Sequence, residues 1–283
     1  MDPSLLSALL SPPVLALLGL CIGSFLNVVI HRLPQMLERG WKIDSAEMLG
    51  VKADAADPIT LSKPRSRCPS CGHAIAWHEN IPVLSYLWLK GRCSACKTRI
   101  SARYPIIEVL TAVLFAALAW RFGPQPAVLV WCAFAAVLLA LAGIDWDTTL
   151  LPDDLTLPLL WAGLVASALG WTIALPLALW GAVAGYLSLW SVYWMFKLAT
   201  GKEGMGHGDF KLLAALGAWL GWQMILPVVL GASVLGAVVG IGMKLNRSLR
   251  EGRYVPFGPF LAGSAIVVLL AGPVRVLDWL GWA

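Results

Sequence analysis

From residue 104 onward the chain is a succession of apolar runs broken by short polar turns, at 104–122, 125–143, 155–171, 173–196, 209–221, 223–243 and 258–280. One further run near 5–30 precedes a polar stretch at 31–103. A spanning helix needs about 20 mostly apolar residues. In lipid the backbone must satisfy its own N–H and C=O groups, which leaves the helix as the structure for such runs. The pattern predicts an all-α polytopic membrane protein of about eight transmembrane helices. Residues 1–31 form the first helix, 32–103 a small domain between helices 1 and 2, and 104–283 the remaining membrane domain. The 209–221 run is the shortest and suits a half-helix or re-entrant piece. Composition agrees, with 59% hydrophobic and 13% charged residues, against roughly 25% charged in a soluble domain. The 15 tryptophans fit helices anchored at a lipid–water boundary.

Charge sets the orientation. Twelve of the 21 Lys and Arg residues lie between Arg32 and Arg103. Basic loops stay cytoplasmic, so the 32–103 domain is expected inside, and its confined basicity does not indicate a nucleic-acid partner. Met1–Ser4 carries no positive charge, includes Asp2, and is followed by no small-x-small cleavage site, so the first run is expected to be a retained helix. Counting crossings places 144–154, 197–208 and 244–257 inside and the C-terminus outside. Lys244, Arg247, Arg250 and Arg253 in the last of these loops support the count, while Arg121 and Arg275 fall singly on the outer side.

Two of these inner loops hold unusual acids. GIDWDTTLLPDDLTLP at 143–158 contains Asp145, Asp147, Asp153 and Asp154, and GMGHGD at 204–209 ends in Asp209. Asp145 closes one apolar run and Asp209 opens another. An ionisable group at membrane depth is costly and faces a cavity or a partner. Two carboxylates sharing such a site do not readily both ionise, which supplies an acid and a base from one residue type. A water between them can be deprotonated by one while the other protonates a peptide carbonyl. Gly206 and Gly208 leave the backbone beside Asp209 bare, so an extended substrate can approach closely. His207 between them reads as a solvated loop residue. The competing reading makes Asp209 only a helix N-cap, with Asp153 or Asp154 capping the helix after Pro152.

The second chemical signal is RCPSCGHAIAWHENIPVLSYLWLKGRCSACKTR. Cys68 and Cys71 form one CxxC, Cys93 and Cys96 another. Paired knuckles of this kind suit a tetrahedral zinc held by four thiolates. Structural disulfides are rare in a reducing cytoplasm, and a metal would staple a domain with a weak core. Redox-active dithiols, or four unrelated thiols, are the alternatives. Cys21 and Cys132 sit in apolar runs and read as ordinary buried residues.

Taken together, these segments resemble the type IV prepilin peptidases, bifunctional membrane enzymes of pilus and type II secretion systems. The resemblance runs through GSFLNVVIHRLP at 23–34, the two CxxC pairs, RYPIIEVLTA at 103–112, IDWDTTLLPDDLTLPLLW at 144–161, GMGHGDFKLLAALGAWLGW at 204–222 and VPFGPFLAG at 255–263. GxGD alone is shared with presenilin-like intramembrane proteases, but six segments in order are specific. The resemblance implies catalytic aspartates at Asp145 and Asp209, with Asp147 the rival for the first role. It implies a bacterial inner-membrane enzyme that cuts the basic leader from prepilins and pseudopilins on the cytoplasmic side, after a glycine and before a residue that is usually phenylalanine. The new N-terminus is then methylated with S-adenosylmethionine. No GxGxxG announces a cofactor site. Asn27, Glu79 and Glu108 are the polar candidates for cofactor or substrate contact, Asn27 being equally a helix–helix hydrogen bond beside the small residues Gly23 and Ser24. PFGPFL at 256–261 reads as a helix entry or as a wall of the aspartate site. Two other readings stay open: a leader peptidase without methyl transfer, and a transporter using the acids as a proton relay.

Overall fold

The computed structural model describes residues 3–52, 59–246 and 255–282. Asp2 and the basic residues Arg247, Arg250 and Arg253 lie outside the described residues. Among the described residues the regular structure is helical, with only two isolated bridges, Arg67–Ala74 and Arg92–Arg99. The chain divides into two compact units, Met1–Val128 and Leu129–Ala283.

The first unit holds α1 (Pro3–Leu9), α2 (Pro12–Met48), a 3-10 turn (Trp77–Asn80), α3 (Leu84–Trp88) and α4 (Arg103–Phe122). The helix expected to end near residue 30 instead continues to Met48. Its extension is rich in Leu, Met, Glu, Arg, Lys and Ala, all good helix formers, and Pro34 is carried inside it. Helices α2 and α4 meet at backbone distance. A Cβ on Gly19 would lie 2.7 Å from the Ala112 Cα, and one on Gly23 would lie 2.7 Å from the Glu108 Cα. Small residues spaced four apart allow this approach, which in lipid supplies the dispersion contacts that hold helices together. Buried Asn27 seals the seam, its amide donating to the carbonyls of Gly23 at 3.2 Å and Tyr104 at 3.1 Å.

The second unit contains α5 (Ala127–Thr148, begun two residues earlier), α6 (Asp153–Ala168), α7 (Leu175–Thr200), α8 (His207–Leu220), a 3-10 turn (Trp222–Met224), α9 (Ile225–Leu245), α10 (Gly258–Ala271) and α11 (Pro273–Leu280). Among the described residues five helical segments are long and apolar enough to cross a membrane: Pro12–Met48, Arg103–Phe122, Ala127–Thr148, Leu175–Thr200 and Trp222–Leu245. A sixth crossing is counted if α10 and α11 are one span. They are bent by 102°, so the last expected run is two helices, parted at Gly272. The runs expected at 155–171 and 209–221 are helices but reach only 16 and 14 residues. All eight expected runs are helical, but these two are short of a full crossing, so five or six candidate spans among the described residues stand against the eight expected.

Helix α8 can be short because it is enclosed. From Asp209 to Leu220 every residue except Lys211 is buried. Its backbone meets that of α7 where Gly181 faces the Gly217 carbonyl and Gly185 the Leu213 carbonyl, leaving no room for a Cβ on either α7 glycine. On another side the Trp219 indole N–H donates to the Leu159 carbonyl of α6 at 2.8 Å. Gly163 makes room for that ring, since a Cβ there would lie 2.7 Å from it. Phe134 of α5 packs on the Trp219 ring at 4.7 Å between centroids.

The close approach has a testable cost. Gly181→Val is expected to destabilise the second unit by about 1–3 kcal/mol through overpacking, seen as a lower thermal midpoint in detergent. Gly240→Val is expected to leave the midpoint near wild type, because no atom lies within 4 Å of the Cβ position.

Candidate active site and metal centre

Asp145 lies in the last turn of α5 and Asp209 in the first turn of α8. Both are buried, at 4% and 8% exposure. Asp147, one turn-face away, is exposed, which separates it from its rival. The capping alternatives are corrected by the backbone. The N-cap of α8 is Gly206, so Asp209 is the third helical residue. The N-cap of α6 is Pro152, which leaves Asp153 and Asp154 in the first turn rather than at the cap. A carboxylate in that turn still meets the positive end of the helix dipole.

Three separate segments converge on the pair. The Gly258 N–H, opening α10, donates to Asp145 Oδ2 at 2.9 Å in a buried hydrogen bond. A Cβ at Gly258 would lie 2.5 Å from that oxygen and 3.2 Å from Leu151 Cδ2. A Cβ at Gly208 would lie 2.8 Å from Leu151 Cβ. Leu151 is thus wedged between the glycine beside Asp209 and the glycine that holds Asp145. Helix α5 ends with Thr149 at φ 55°, in the left-handed region, its N–H donating to the Asp145 carbonyl at 2.8 Å. That turn reverses the chain and delivers Leu151 to the wedge.

Around the GHGD turn, His207 is exposed but its ring packs on Tyr193 at 5.1 Å and Phe210 at 5.4 Å. Lys197 Nζ donates to Tyr193 Oη at 3.1 Å and to Glu203 at 2.8 Å. The Lys197 ammonium holds the Glu203 carboxyl below its ordinary range. A Cβ at Gly206 would lie 3.7 Å from Asp209 Oδ2, an ordinary contact.

The cysteines converge in the first unit. The Sγ atoms of Cys68, Cys71, Cys93 and Cys96 all lie within 4.8 Å of one another, with Cys68 and Cys96 at 3.7 Å. A tetrahedron with metal–sulfur bonds near 2.3 Å has sulfur–sulfur edges of about 3.8 Å, so the set fits zinc. The two knuckles are built alike. Cys68 N–H donates to the His73 carbonyl and Cys93 N–H to the Thr98 carbonyl, each at 2.9 Å. Gly72 and Lys97 take equivalent left-handed places, at φ 72° and 60°. Hydrogen bonding from Thr98 lowers the Cys96 thiol to about 6, whereas the neighbouring sulfurs, Cys96 first, and burial raise Cys71 to about 11, so a bound cation would supply the charge that makes all four thiolates.

The remaining polar candidates do not share one site. Glu79 belongs to the cysteine domain: its Oε2 accepts from the Ala76 N–H at 2.9 Å and lies 3.1 Å from His73 Nε2. Ser94, that backbone N–H and His73 together hold its carboxyl down at about 2. Glu108 is buried in the α2–α4 seam and accepts from the Val83 N–H at 2.8 Å, fixing a residue held at φ 61°. Asn27 shares that seam and is occupied by the two carbonyls already described. Leu151 and Lys211 carry no sequence signal of their own. The glycine between two prolines in PFGPF was the available sign of close approach at Gly258.

Gly258→Ala is expected to displace the Asp145 carboxylate and lower kcat for peptide cleavage by at least about tenfold, since misplacement on the 1 Å scale costs up to 10²-fold. Gly263→Ala, with nothing within 4 Å of the Cβ position, is expected to retain wild-type kcat. Purified protein is expected to hold one zinc per chain by elemental analysis. Cys68→Ser with Cys96→Ser is expected to lose the metal and open the 59–100 segment to trypsin.

The sequence profile described as the bacterial peptidase A24 N-terminal domain matches residues 17–122, and that of the type IV leader peptidase family matches 132–241. A relative from Aeromonas hydrophila is 54% identical over 258 residues, covering 90% of this chain and 89% of its own. One from Pseudomonas aeruginosa is 50% identical over 273 residues, covering 94% and 92%. Both are described as prepilin leader peptidase/N-methyltransferases. No solved structure matches the chain. With both halves matched in order and such relatives aligned almost end to end, the chain belongs to the type IV leader peptidase family.

Proposed function

We propose that the protein is an aspartic endopeptidase of the bacterial inner membrane that removes the basic leader of type IV prepilins and pseudopilins through Asp145 and Asp209. It then methylates the new N-terminus with S-adenosylmethionine as donor. The observation that carries the peptidase reading is the convergence of two buried carboxylates, 64 residues apart in the chain by number, on one wedge of backbone around Leu151 and Gly258. Asp145 is held by a backbone N–H, and burying two acids in this way is a poor arrangement for stability alone and a suitable one for sharing a proton.

In this mechanism one carboxylate takes a proton from a water held between the pair. The other gives its proton to the carbonyl of the scissile peptide. The resulting tetrahedral intermediate collapses as the leaving nitrogen is protonated. Gly206 lets the extended peptide lie close to Asp209, while the bare face of Gly208 is taken up by Leu151. The Gly258 N–H fixes the rotamer of Asp145 without supplying a proton. A prepilin with a basic leader and an apolar stem places its scissile bond where charge gives way to lipid. The exposed acids Asp147 and Asp154 give that face a field that attracts the leader.

The four cysteines are the proposed structural zinc site of a cytoplasmic domain. The methyl donor supplies an electrophilic methyl group, and the chain must hold the new amine unprotonated to receive it. Asn27, Glu79 and Glu108 remain the proposed polar contacts for cofactor or substrate. Each already serves a structural hydrogen bond, so each would act from a fixed position.

Asp145→Asn and Asp209→Asn, made singly, are expected to reduce prepilin cleavage in membranes by about 10³-fold or more, as removing one member of a concerted set does. Asp147→Asn is expected to keep kcat within about threefold. Gel shift of the processed pilin reports cleavage, and retained cleavage by either buried-aspartate variant removes that residue from the mechanism. Wild-type cleavage is expected to show two limbs against pH, belonging to the pair jointly.

A further inference from the structure

Lys211 stands two residues after Asp209 as the one residue not buried between Asp209 and Leu220 of α8, and Asp153 opens α6, two residues after Leu151. Neither has a part in the chemistry above. Lys211 Nζ lies 2.8 Å and 2.7 Å from the two oxygens of Asp153, so the ammonium is centred on the carboxylate. We propose that Asp153 and Lys211 are a positioning pair that latches the Leu151 turn to the Asp209 turn and so sets the separation of the two aspartates. The proposal rests on the two-carboxylate reading.

Three observations support it independently of the acids themselves. First, α6 and α8 are already pinned deep in the unit, where the Trp219 N–H meets the Leu159 carbonyl and Gly163 admits the indole. One pin leaves two helices free to pivot, and a second at their other end removes that freedom. Second, both segments are short levers. Leu151 touches the positions beside Gly208 and Gly258, so a shift of the turn between α5 and α6 moves the wedge against both aspartate supports. Third, the same turn is tied to α5 by the Thr149 N–H and the Asp145 carbonyl, which makes the path from Asp145 to Asp153 short and stiff. The pair is part-exposed, at 33% for Lys211 and 53% for Asp153. Exposed pairs add little to stability, so its loss should be read in geometry rather than in unfolding. The ion pair also removes Asp153 from the acids free to attract a basic leader.

Asp153→Lys and Lys211→Asp, singly, are expected to lower kcat for prepilin cleavage by about tenfold, with KM within about twofold. The double exchange is expected to recover kcat to within about threefold of wild type, although a lysine at the start of α6 opposes the helix dipole. Lys211→Arg is expected to retain kcat. Recovery by the exchange shows that the single variants fail through the pair and not through misfolding. Single variants with wild-type kcat, or an exchange no better than the worse single variant, overturn the proposal. So does a rise in KM confined to Asp153→Lys, which would make Asp153 a leader-attracting acid. Asp145→Asn is assayed beside them: if it still cleaves, the two-carboxylate reading fails, whereas if it is inactive and the pair variants are normal, only the latch fails.

Discussion

The second unit depends on the backbone-to-backbone contact between α7 and α8. In lipid there is no water to expel from between helices, so association must come from close packing and hydrogen bonds. Gly181 and Gly185 on α7 let α8 settle against the chain itself rather than against side chains. The Trp219–Leu159 hydrogen bond then holds α8 from the α6 side. Shielded in this way, a 14-residue helix needs no lipid-spanning length. Its ends can therefore stop where the site needs them, and its first turn presents Asp209 at the end of a rigid rod.

A buried carboxylate is tolerated only where its surroundings supply hydrogen bonds or a second ionisable group. For Asp145 that supply is one backbone N–H at Gly258, and the position admits no side chain because the oxygen occupies the space. Backbone donors are useful here because they cannot rotate away. Leu151 plays the complementary apolar part by filling the gap between two glycine-bearing segments. The geometry comes from small residues and one leucine, and the polar residues sit where those put them.

Much of this was legible in the sequence because membrane helices and thiolate knuckles leave long, simple patterns. The apolar runs located all eight main helices, and the two CxxC pairs located the cluster that the fold gathers within 4.8 Å. Asp145 and Asp209 were legible because acids beside lipid are rare. The end of α2 was missed because residues 31–48 are amphipathic and charged and hold Pro34 and Gly40, which reads as loop when apolar content is the criterion, although most of the remaining residues favour helix. The division at Gly272 was missed because Val274, Val276, Leu277, Trp279 and Leu280 prolong the run, although Gly272–Pro273 marks a break and Arg275 and Asp278 make the last helix amphipathic. Capping roles for Asp153 and Asp209 were misjudged because helix starts vary by one or two residues, and in both cases the cap fell on a neighbour, Pro152 or Gly206. The Asp153–Lys211 pair joins residues 58 apart, and no local pattern announces a partner at that distance.

The two units solve the same problem with different means. Between α2 and α4, as between α7 and α8, glycines bring helices to backbone contact, and buried polar side chains such as Asn27 find carbonyls across the seam. The segment around the cysteines has no such resource. Its helices are a 3-10 turn of 4 residues and an α-helix of 5, and exposed Trp77, Leu84, Leu87 and Trp88 show how little apolar surface it buries. Loops this short of core need a covalent or metal staple. The knuckle backbones already hold four sulfurs near tetrahedral spacing, and the Glu79–His73 contact ties the first knuckle to the turn that follows it. A metal there would be bound by a site whose hydrogen bonds are in place, so the binding free energy would go into holding the domain rather than building it.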